Sequence, residues 1–320
     1  MLRGPRPLVG YAATIGAAGL FGLNGTVSTL ALDAGLPATR LTALRCLGAA
    51  LGLLAVLALV SPRRLRVPAR DLPGLAVFGI VGIAGSQFLY YSAISRLPIG
   101  IALVFEMTAP VFIALYVRVI RRERVRRTLW IALALALAGL ALVAEVWEGG
   151  GSLNPVGVAA GLGAALCLTV YYLLGERATA QRDPVTLTFW GFLAAGLFWS
   201  VAAPWWDFSA GVLGRRVVSP VGGWHLPVWA LVLWIVLLGA IVPFWLSVAA
   251  LRHLSPTTAG LVATVEPVFA SAIAWPVLGQ VLSGWQVAGG VVVLTGIALA
   301  QTARAPAPEL LPETPAPVTA

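Results

Sequence analysis

The sequence predicts an all-α integral membrane protein with ten transmembrane helices in two inverted five-helix repeats. Of its 320 residues, 59% are hydrophobic and 10% are charged, whereas soluble domains carry about 25% charged residues. Apolar runs of about 20 residues, long enough to cross a hydrocarbon layer of about 30 Å as helices, follow one another along the chain. The composition excludes a soluble globular protein, and we expect a multi-pass protein of the inner (cytoplasmic) membrane.

Arginine, proline and glycine breaks divide the apolar sequence into ten predicted spans. Their limits are 8–32, 38–60, 73–95, 98–119, 128–146, 155–175, 184–206, 227–250, 256–278 and 284–302. The first apolar run continues to Leu32 without a clear cleavage site, which favours a membrane span over a signal peptide. Residues 304–320 are rich in proline and alanine, and we expect them to form a disordered cytoplasmic tail.

The arginines predict how the spans are oriented. The chain has no lysine, and clusters of arginine follow the second and fourth spans. The clusters are Arg63, Arg64, Arg66 and Arg70, then Arg121, Arg122, Arg124, Arg126 and Arg127. Since cytoplasmic loops attract positive charge, these loops and both termini are expected to be cytoplasmic. Arg215 and Arg216, in the predicted outer loop 207–226, conflict with this rule. The net charge of +9 is spread over short loops, so it does not indicate nucleic-acid binding.

The two halves of the chain resemble each other at a fixed spacing. A shift of 157 residues places LPIGIALVFEMTAPVFIAL (97–115) over LSPTTAGLVATVEPVFASA (254–272). It matches Pro110, Val111 and Phe112 with Pro267, Val268 and Phe269, Gly82 with Gly239, and Gly139 with Gly296, while a shift of 147 matches Gly10 with Gly157. We therefore predict two five-helix repeats, 1–150 and 151–303. Because five is odd, the second repeat is inverted, an architecture whose transport site lies near mid-membrane between the halves.

Three charged side chains lie well inside predicted spans, away from the span ends, where an ionised group is costly. Glu106 lies in the fourth span, Glu266 near the middle of the ninth, and Arg45 in the second span at a depth similar to that of Glu106. Pro110 and Pro267 lack an N–H, so each removes a hydrogen bond from its helix. The sequence thus places a distorted helix segment beside each carboxylate.

Two interpretations of these charges are open. In the functional one, Glu106 and Glu266 face a polar cavity between the repeats and bind a substrate's ammonium group or a proton. In the structural one, Arg45 and Glu106 form a buried ion pair, and Glu266 satisfies backbone near a kink. Other polar side chains in the spans could line the cavity or make interhelical hydrogen bonds. They are Asn24, Gln87, Tyr90, Tyr171 and Ser247.

One short motif carries a family resemblance. Glu106, Thr108 and Pro110 form an E-x-T-x-P element, and Glu266 and Pro267 form an E-P pair in the corresponding span. In a ten-span chain of two halves, these features resemble the EamA family of the drug/metabolite transporter superfamily, nearest to its branch of threonine and homoserine exporters. The resemblance implies secondary transport, usually efflux of small metabolites or drugs, driven by a proton gradient or by the substrate's own gradient.

The expected function is proton-coupled export of small amino-acid-like metabolites across the cytoplasmic membrane by alternating access. The first alternative is a broad-specificity exporter of drugs or lipophilic cations, and the second is a channel. An enzyme is not expected, because the only two histidines are His225 and His253 and no HExxH or GxSxG motif is present. We expect no cofactor, metal or nucleic acid. The partners are the lipid bilayer, a small-molecule substrate and protons, and the substrate's identity and the oligomeric state stay open.

Overall fold

The protein is mostly helical in a computed structural model. The model describes residues 6–94, 96–97, 99–147, 153–203, 205–218, 225–270, 272 and 283–302, so the predicted tail lies outside the described residues. The helices in the described part are α1 (Pro7–Asp33), α2 (Ala38–Val60), α3 (Leu72–Val77), α4 (Ser86–Ile94), α5 (Ile99–Glu106), α6 (Ala109–Val119), α7 (Arg127–Val143), α8 (Pro155–Thr179), α9 (Pro184–Ala202), α10 (Val228–Val236), α11 (Val242–Ala250), α12 (Pro256–Ala263) and α13 (Gly284–Thr302).

Among the described residues, seven helical segments are long and apolar enough to cross a membrane. They are Pro7–Asp33, Ala38–Val60, Ala69–Ile94, Ile101–Val119, Pro155–Thr179, Pro184–Ala202 and Val228–Ala250. Two shorter apolar helices, Arg127–Val143 and Gly284–Ala300, fall below this length, so the predicted number of ten stays a prediction. Large apolar side chains such as Leu59 and Val201 are more than four-fifths exposed on the helix surfaces. A lipid environment would cover such side chains, as expected for an integral membrane protein.

Two of the spans contain a π-helical segment. Phe78–Gly85 joins α3 to α4, and Leu237–Ile241 joins α10 to α11. Gly82 and Gly239, which the shift of 157 residues superimposes, lie in these segments. π-Helical turns are rare and are frequent at functional sites. The same local distortion therefore occurs at corresponding positions of the two halves.

The predicted fourth and ninth spans are interrupted beside their carboxylates. α5 ends at Glu106, and α6 follows after a turn. α12 ends in a similar turn, and the chain is helical again over 266–270. In each turn a threonine hydroxyl donates to the carbonyl oxygen three residues earlier, at 2.6 Å for both Thr108 and Thr264. A proline then stands in the first turn of the next helical segment, where its missing N–H leaves no helical hydrogen bond unmade.

Helices of the first half pack largely against helices of the second half. α7 packs on α13, α2 on α9, α4 on α8, and α1 on α11. The largest buried apolar cluster includes Phe78, Phe192 and Phe244, so it draws on both halves. The face between the halves is therefore the interior of the molecule.

Glycines allow some of these helices to approach closely. A Cβ atom added at Gly139 of α7 would lie 2.8 Å from the carbonyl oxygen of Gly289 in α13, and one added at Gly296 of α13 would lie 2.8 Å from that of Ala132 in α7. The shift of 157 residues places 132 on 289 and 139 on 296. The contact between positions 139 and 289 therefore corresponds to the contact between positions 296 and 132. The α7–α13 contact is thus locally symmetric.

The first turns of α1 and α8 make a second pair of corresponding contacts. A Cβ atom at Gly10, near the start of α1, would lie 2.6 Å from a side-chain carbon of Leu254. One at Gly157, near the start of α8, would lie 2.7 Å from the matching carbon of Leu97. The shifts of 147 and 157 residues relate these two contacts, so two separate regions obey the internal symmetry seen in the sequence.

The long loop between α9 and α10 gives one of the arginines that conflicted with the orientation rule a structural role. The loop contains two short antiparallel strands, Arg216–Val218 and His225–Pro227, which an all-helical prediction did not include. Arg215 donates a hydrogen bond to the carbonyl oxygen of Ala34 at 3.0 Å, next to the last turn of α1. A cation is favourable at a helix C-terminus. This arginine therefore has a structural role that is separate from orientation.

Substitution of Gly139 by alanine tests the close α7–α13 contact. The added Cβ would meet backbone atoms of α13, which cannot move aside as a flexible side chain can. We expect Gly139→Ala to destabilise the protein by about 1–3 kcal/mol, the usual cost of overpacking. Gly74→Ala in α3 is the matched control, because nothing lies within 4 Å of its added Cβ. Thermal unfolding in detergent measures both variants, and equal unfolding temperatures would contradict the contact.

Candidate functional site

A cavity of about 580 Å³ lies between the two halves. Its volume is in the range of small-molecule sites, about 300–1,000 Å³. Nearly all of the side chains that the sequence analysis singled out line it. They are Asn24, Arg45, Gln87, Tyr90, Glu106, Tyr171, Ser247, Glu266 and Pro267. Pro110 contacts Gly260 of α12, where an added Cβ would lie 3.2 Å from its ring. Residues from distant parts of the sequence therefore meet in one cavity.

The two carboxylates of the cavity have no direct partner among the residues that the structure describes. Glu106 ends α5 and is 7% exposed, and Glu266 begins the helical segment 266–270. Neither accepts a hydrogen bond or forms an ion pair with any residue that the structure describes. They are close enough to repel each other. Two carboxylates left without donors in a buried cavity are free to bind a cationic group or a proton.

Arg45 is the buried cation of the cavity, with a side chain that is 1% exposed. Its Nη1 donates to Oε1 of Gln87 at 2.6 Å and to the Tyr91 hydroxyl at 3.4 Å, and its Nη2 donates to the Gly239 carbonyl oxygen. The guanidinium also lies 5.6 Å from the centre of the Phe244 ring. Within the described part of the chain, the ion pair with Glu106 is not formed. Neutral acceptors hold Arg45 instead, so it acts on both carboxylates only across the cavity.

Asn24 and Tyr171 occupy corresponding places against the two π-helical segments. Asn24 lies directly against Gly239, and a Cβ added at Gly82 would lie 3.0 Å from Cα of Tyr171. The shifts of 147 and 157 residues relate these contacts as well. The Gly82 carbonyl accepts a hydrogen bond from Ser86 at 2.6 Å, whereas the Gly239 carbonyl accepts one from Arg45. The two halves thus use the same backbone feature with different donors.

Several lining residues were missed in the sequence. Tyr91, Tyr172 and Ser86 line the cavity, and Tyr172 and Tyr90 both interact electrostatically with the two glutamates. The signal was present as two tyrosine pairs, YY at 90–91 and at 171–172, one in each half. A repeated aromatic pair inside an apolar span could have been read as a cavity wall.

The cavity extends toward one end of the molecule. Its lining includes Asp33 at the end of α1, Ile94 at the end of α4, Ala144 after α7, and Gln286 near the start of α13. The arginine clusters occupy the opposite ends of the spans. The cavity therefore reaches toward the face with few arginines.

Ion pairs join loops on the arginine-rich face. Arg121 pairs with Glu176 at 2.6 Å, and this hydrogen bond raises the pKa of the Arg121 guanidinium. Arg182 pairs with Asp71 across loops of the two halves. Because these side chains are partly exposed to solvent, each pair is expected to contribute about 1 kcal/mol or less. They tie the ends of the helices together on the side away from the cavity mouth.

Comparisons with known proteins show the family to which the chain belongs. The EamA-like transporter family model matches residues 8–144 and 155–302. The chain is 30% identical to threonine/homoserine exporter RhtA of Escherichia coli K12 over 268 residues, which cover 83% of each chain. It is 30% identical to RhtA of Salmonella typhimurium LT2, covering 78% of this chain and 77% of the relative. The pseudopaline exporter CntI of Pseudomonas aeruginosa is 24% identical, with 85% and 89% covered.

A solved crystal structure shares the fold. It superimposes with a TM-score of 0.72, covers 92% of this chain and 96% of its own, and is 21% identical in sequence. The family match spans most of the chain, and the RhtA relatives are covered over more than two thirds of their length. The chain belongs to the EamA-like transporter family and is a multi-pass transporter of the inner membrane, not an enzyme.

Proposed function

We propose that this protein exports small amino-acid-like metabolites from the cytoplasm by proton-coupled alternating access. One observation carries the proposal: the cavity contains a buried arginine and two carboxylates that are not paired with one another. A zwitterion presents both a carboxylate and an ammonium group, so it complements such a set. The curated relatives named as threonine/homoserine exporters support a small zwitterionic substrate.

The proposed architecture is ten transmembrane helices in two inverted five-helix repeats. The family model matches twice, at 8–144 and at 155–302, and each match falls almost entirely within one predicted repeat, 1–150 or 151–303. The exchanged contacts at Gly139 and Gly296 support the same symmetry. Two similar halves of opposite orientation can exchange roles, which gives outward-open and inward-open states of comparable energy.

The described conformation fits an outward-facing state. The cavity reaches Asp33 and Gln286 on the face with few arginines, while ion pairs join loops on the arginine-rich face. By the positive-inside rule the arginine-rich face is cytoplasmic. In the opposite state, the cavity would open between the loops that now carry these ion pairs.

Glu106 and Glu266 are proposed to bind the substrate's ammonium group and, alternately, a proton. Both carboxylates face the same cavity, repel each other and lack donors among the residues with described positions. A bound ammonium group and a bound proton each relieve the repulsion between the two carboxylates, so they compete for the same negative charge. Such competition is what exchange of substrate for protons requires.

A drug or lipophilic-cation exporter remains the alternative, because aromatic side chains such as Phe21, Tyr90 and Phe244 also line the cavity. Aromatic walls bind lipophilic cations through cation–π contacts. Arg45 opposes this alternative, since a buried cation repels a cationic substrate. The second alternative, a channel, is distinguished by its transport kinetics, because a channel would show no saturable substrate counterflow.

Proton-coupled flux in proteoliposomes tests the roles of the carboxylates. The assay imposes a pH gradient and compares L-threonine, L-homoserine and lipophilic cations for the native protein, Glu106→Gln and Glu266→Gln. We expect the amino acids to drive proton movement. We expect Glu266→Gln to abolish that movement while substrate counterflow persists, because an amide cannot carry the proton. Loss of coupled flux should be at least about tenfold, which corresponds to about 1.4 kcal/mol.

Glu123→Gln provides the control for removal of a carboxylate, because Glu123 is exposed in the loop between α6 and α7, outside the cavity lining. It should transport like the native protein. Native flux in both cavity variants would show that the glutamates are structural. Transport confined to lipophilic cations would favour the drug-exporter alternative.

Cysteine labelling tests the proposed orientation. Cys46 and Cys167 are first replaced by alanine, and a single cysteine is then introduced by Arg216→Cys or by Arg124→Cys, both at exposed positions. A membrane-impermeant maleimide added to intact spheroplasts should label the cysteine at 216 and not the one at 124. Labelling of position 124 before lysis, with protection of 216, would reverse the orientation.

A further inference from the structure

We propose that Arg45 is the carboxylate-binding group of the cavity and therefore the residue that distinguishes amino acids from amines. The inference deepens the proposed function and rests on it. The starting observation is that Arg45 is almost fully buried, lines the cavity, and has an Nε atom with no hydrogen-bond partner in the described part of the chain. A buried guanidinium donor without an acceptor is costly, and a bound ligand can remove that cost.

The hydrogen-bond inventory of Arg45 leaves room for a carboxylate. A guanidinium has five N–H donors in a planar fork. Three of them are matched by Gln87, Tyr91 and the Gly239 carbonyl, and Nε is one of the two that remain. Two oxygens of a carboxylate match two donors of the fork, the geometry that makes arginine the preferred partner of carboxylates.

The charges facing Arg45 leave it available to a ligand. From α5 and from the segment 266–270, Glu106 and Glu266 attract it across the cavity without forming an ion pair. The helices that hold it directly, α4 and the π-helical segment before α11, offer only neutral acceptors. The Arg45 guanidinium therefore forms no ion pair with a described residue. Its position is fixed by hydrogen bonds to two helical segments and by the Phe244 ring.

The arrangement also orients the substrate. A carboxylate on Arg45 directs the ammonium group of the same molecule toward Glu106 and Glu266, since these are the anions with which Arg45 interacts across the cavity. An amine without a carboxylate can reach the glutamates but leaves the Arg45 donors unmatched. A site built to bind a polar group rejects the analogue that lacks it, because its own buried donors stay unpaired.

Binding measured by calorimetry in detergent tests the inference with three probes. They are L-threonine, its methyl ester, and 1-amino-2-propanol, which lacks the carboxyl group. We expect the native protein to bind L-threonine about ten- to a hundredfold more tightly than either analogue, the range expected for hydrogen bonds to a charged group. We expect Arg45→Gln to lose this preference by weakening threonine binding while its affinity for the amine is unchanged or higher.

Arg40→Gln is the matched control. Arg40 is another buried arginine of α2, but it donates to the Ala203 carbonyl and lies over the Trp205 ring, and it does not line the cavity. This variant should keep the native preference. Equal binding of threonine and its ester by the native protein would overturn the Arg45 assignment while export stands, and this comparison needs no folded variant. Equal preference in Arg45→Gln and the native protein would overturn it too. Failure of the native protein to bind any of the probes would instead refute the proposed amino-acid function.

Discussion

The rest of this structure depends on how three charges are held in the membrane interior. When ionised, Arg45 contributes one positive charge and Glu106 and Glu266 contribute two negative ones. Arg45 and Glu106 are buried and Glu266 is partly buried, and none of the three forms an ion pair with another. The ionised set therefore carries one net negative charge, and an uncompensated charge is expensive inside a membrane. Under the proposed function, one proton or one ammonium group neutralises this charge, and the two compete for it.

The backbone is irregular beside each of the three charged side chains of the cavity. The interruption after Glu106 and the turn before Glu266 end the helices at the carboxylates, and the π-helical segment at Gly239 presents a carbonyl to Arg45. Irregular backbone inside a membrane is tolerated where it lines a cavity or is buried in protein. Each half thus contains one interrupted helix and one π-helical segment near the cavity.

The membrane class, the interrupted spans and nine of the cavity-lining residues, among them Arg45, Glu106 and Glu266, were predicted from the sequence because each has a local cause. A carboxylate or a proline in an apolar run costs free energy, and such a residue can be recognised from the sequence alone. The partner of Arg45 was not predictable in this way. The similar depth of Arg45 and Glu106 in the membrane favoured Glu106 as the partner of Arg45. The observed acceptors, Gln87, Tyr91 and the Gly239 carbonyl, depend on the rotation of α4 and on a π-helical turn, which tertiary packing determines. The two short strands in the loop between α9 and α10 were missed because each has only three residues.

Carbodiimide labelling of the buried carboxylates tests the central claim most directly. An apolar carbodiimide reacts with protonated carboxyl groups, and peptide mass spectrometry locates the product. If Glu106 and Glu266 hold the exchangeable charge of the cavity, at least one of them should be modified, and L-threonine should suppress the modification. If threonine binds while labelling of both residues is unchanged, the substrate does not occupy this cavity and the account is wrong.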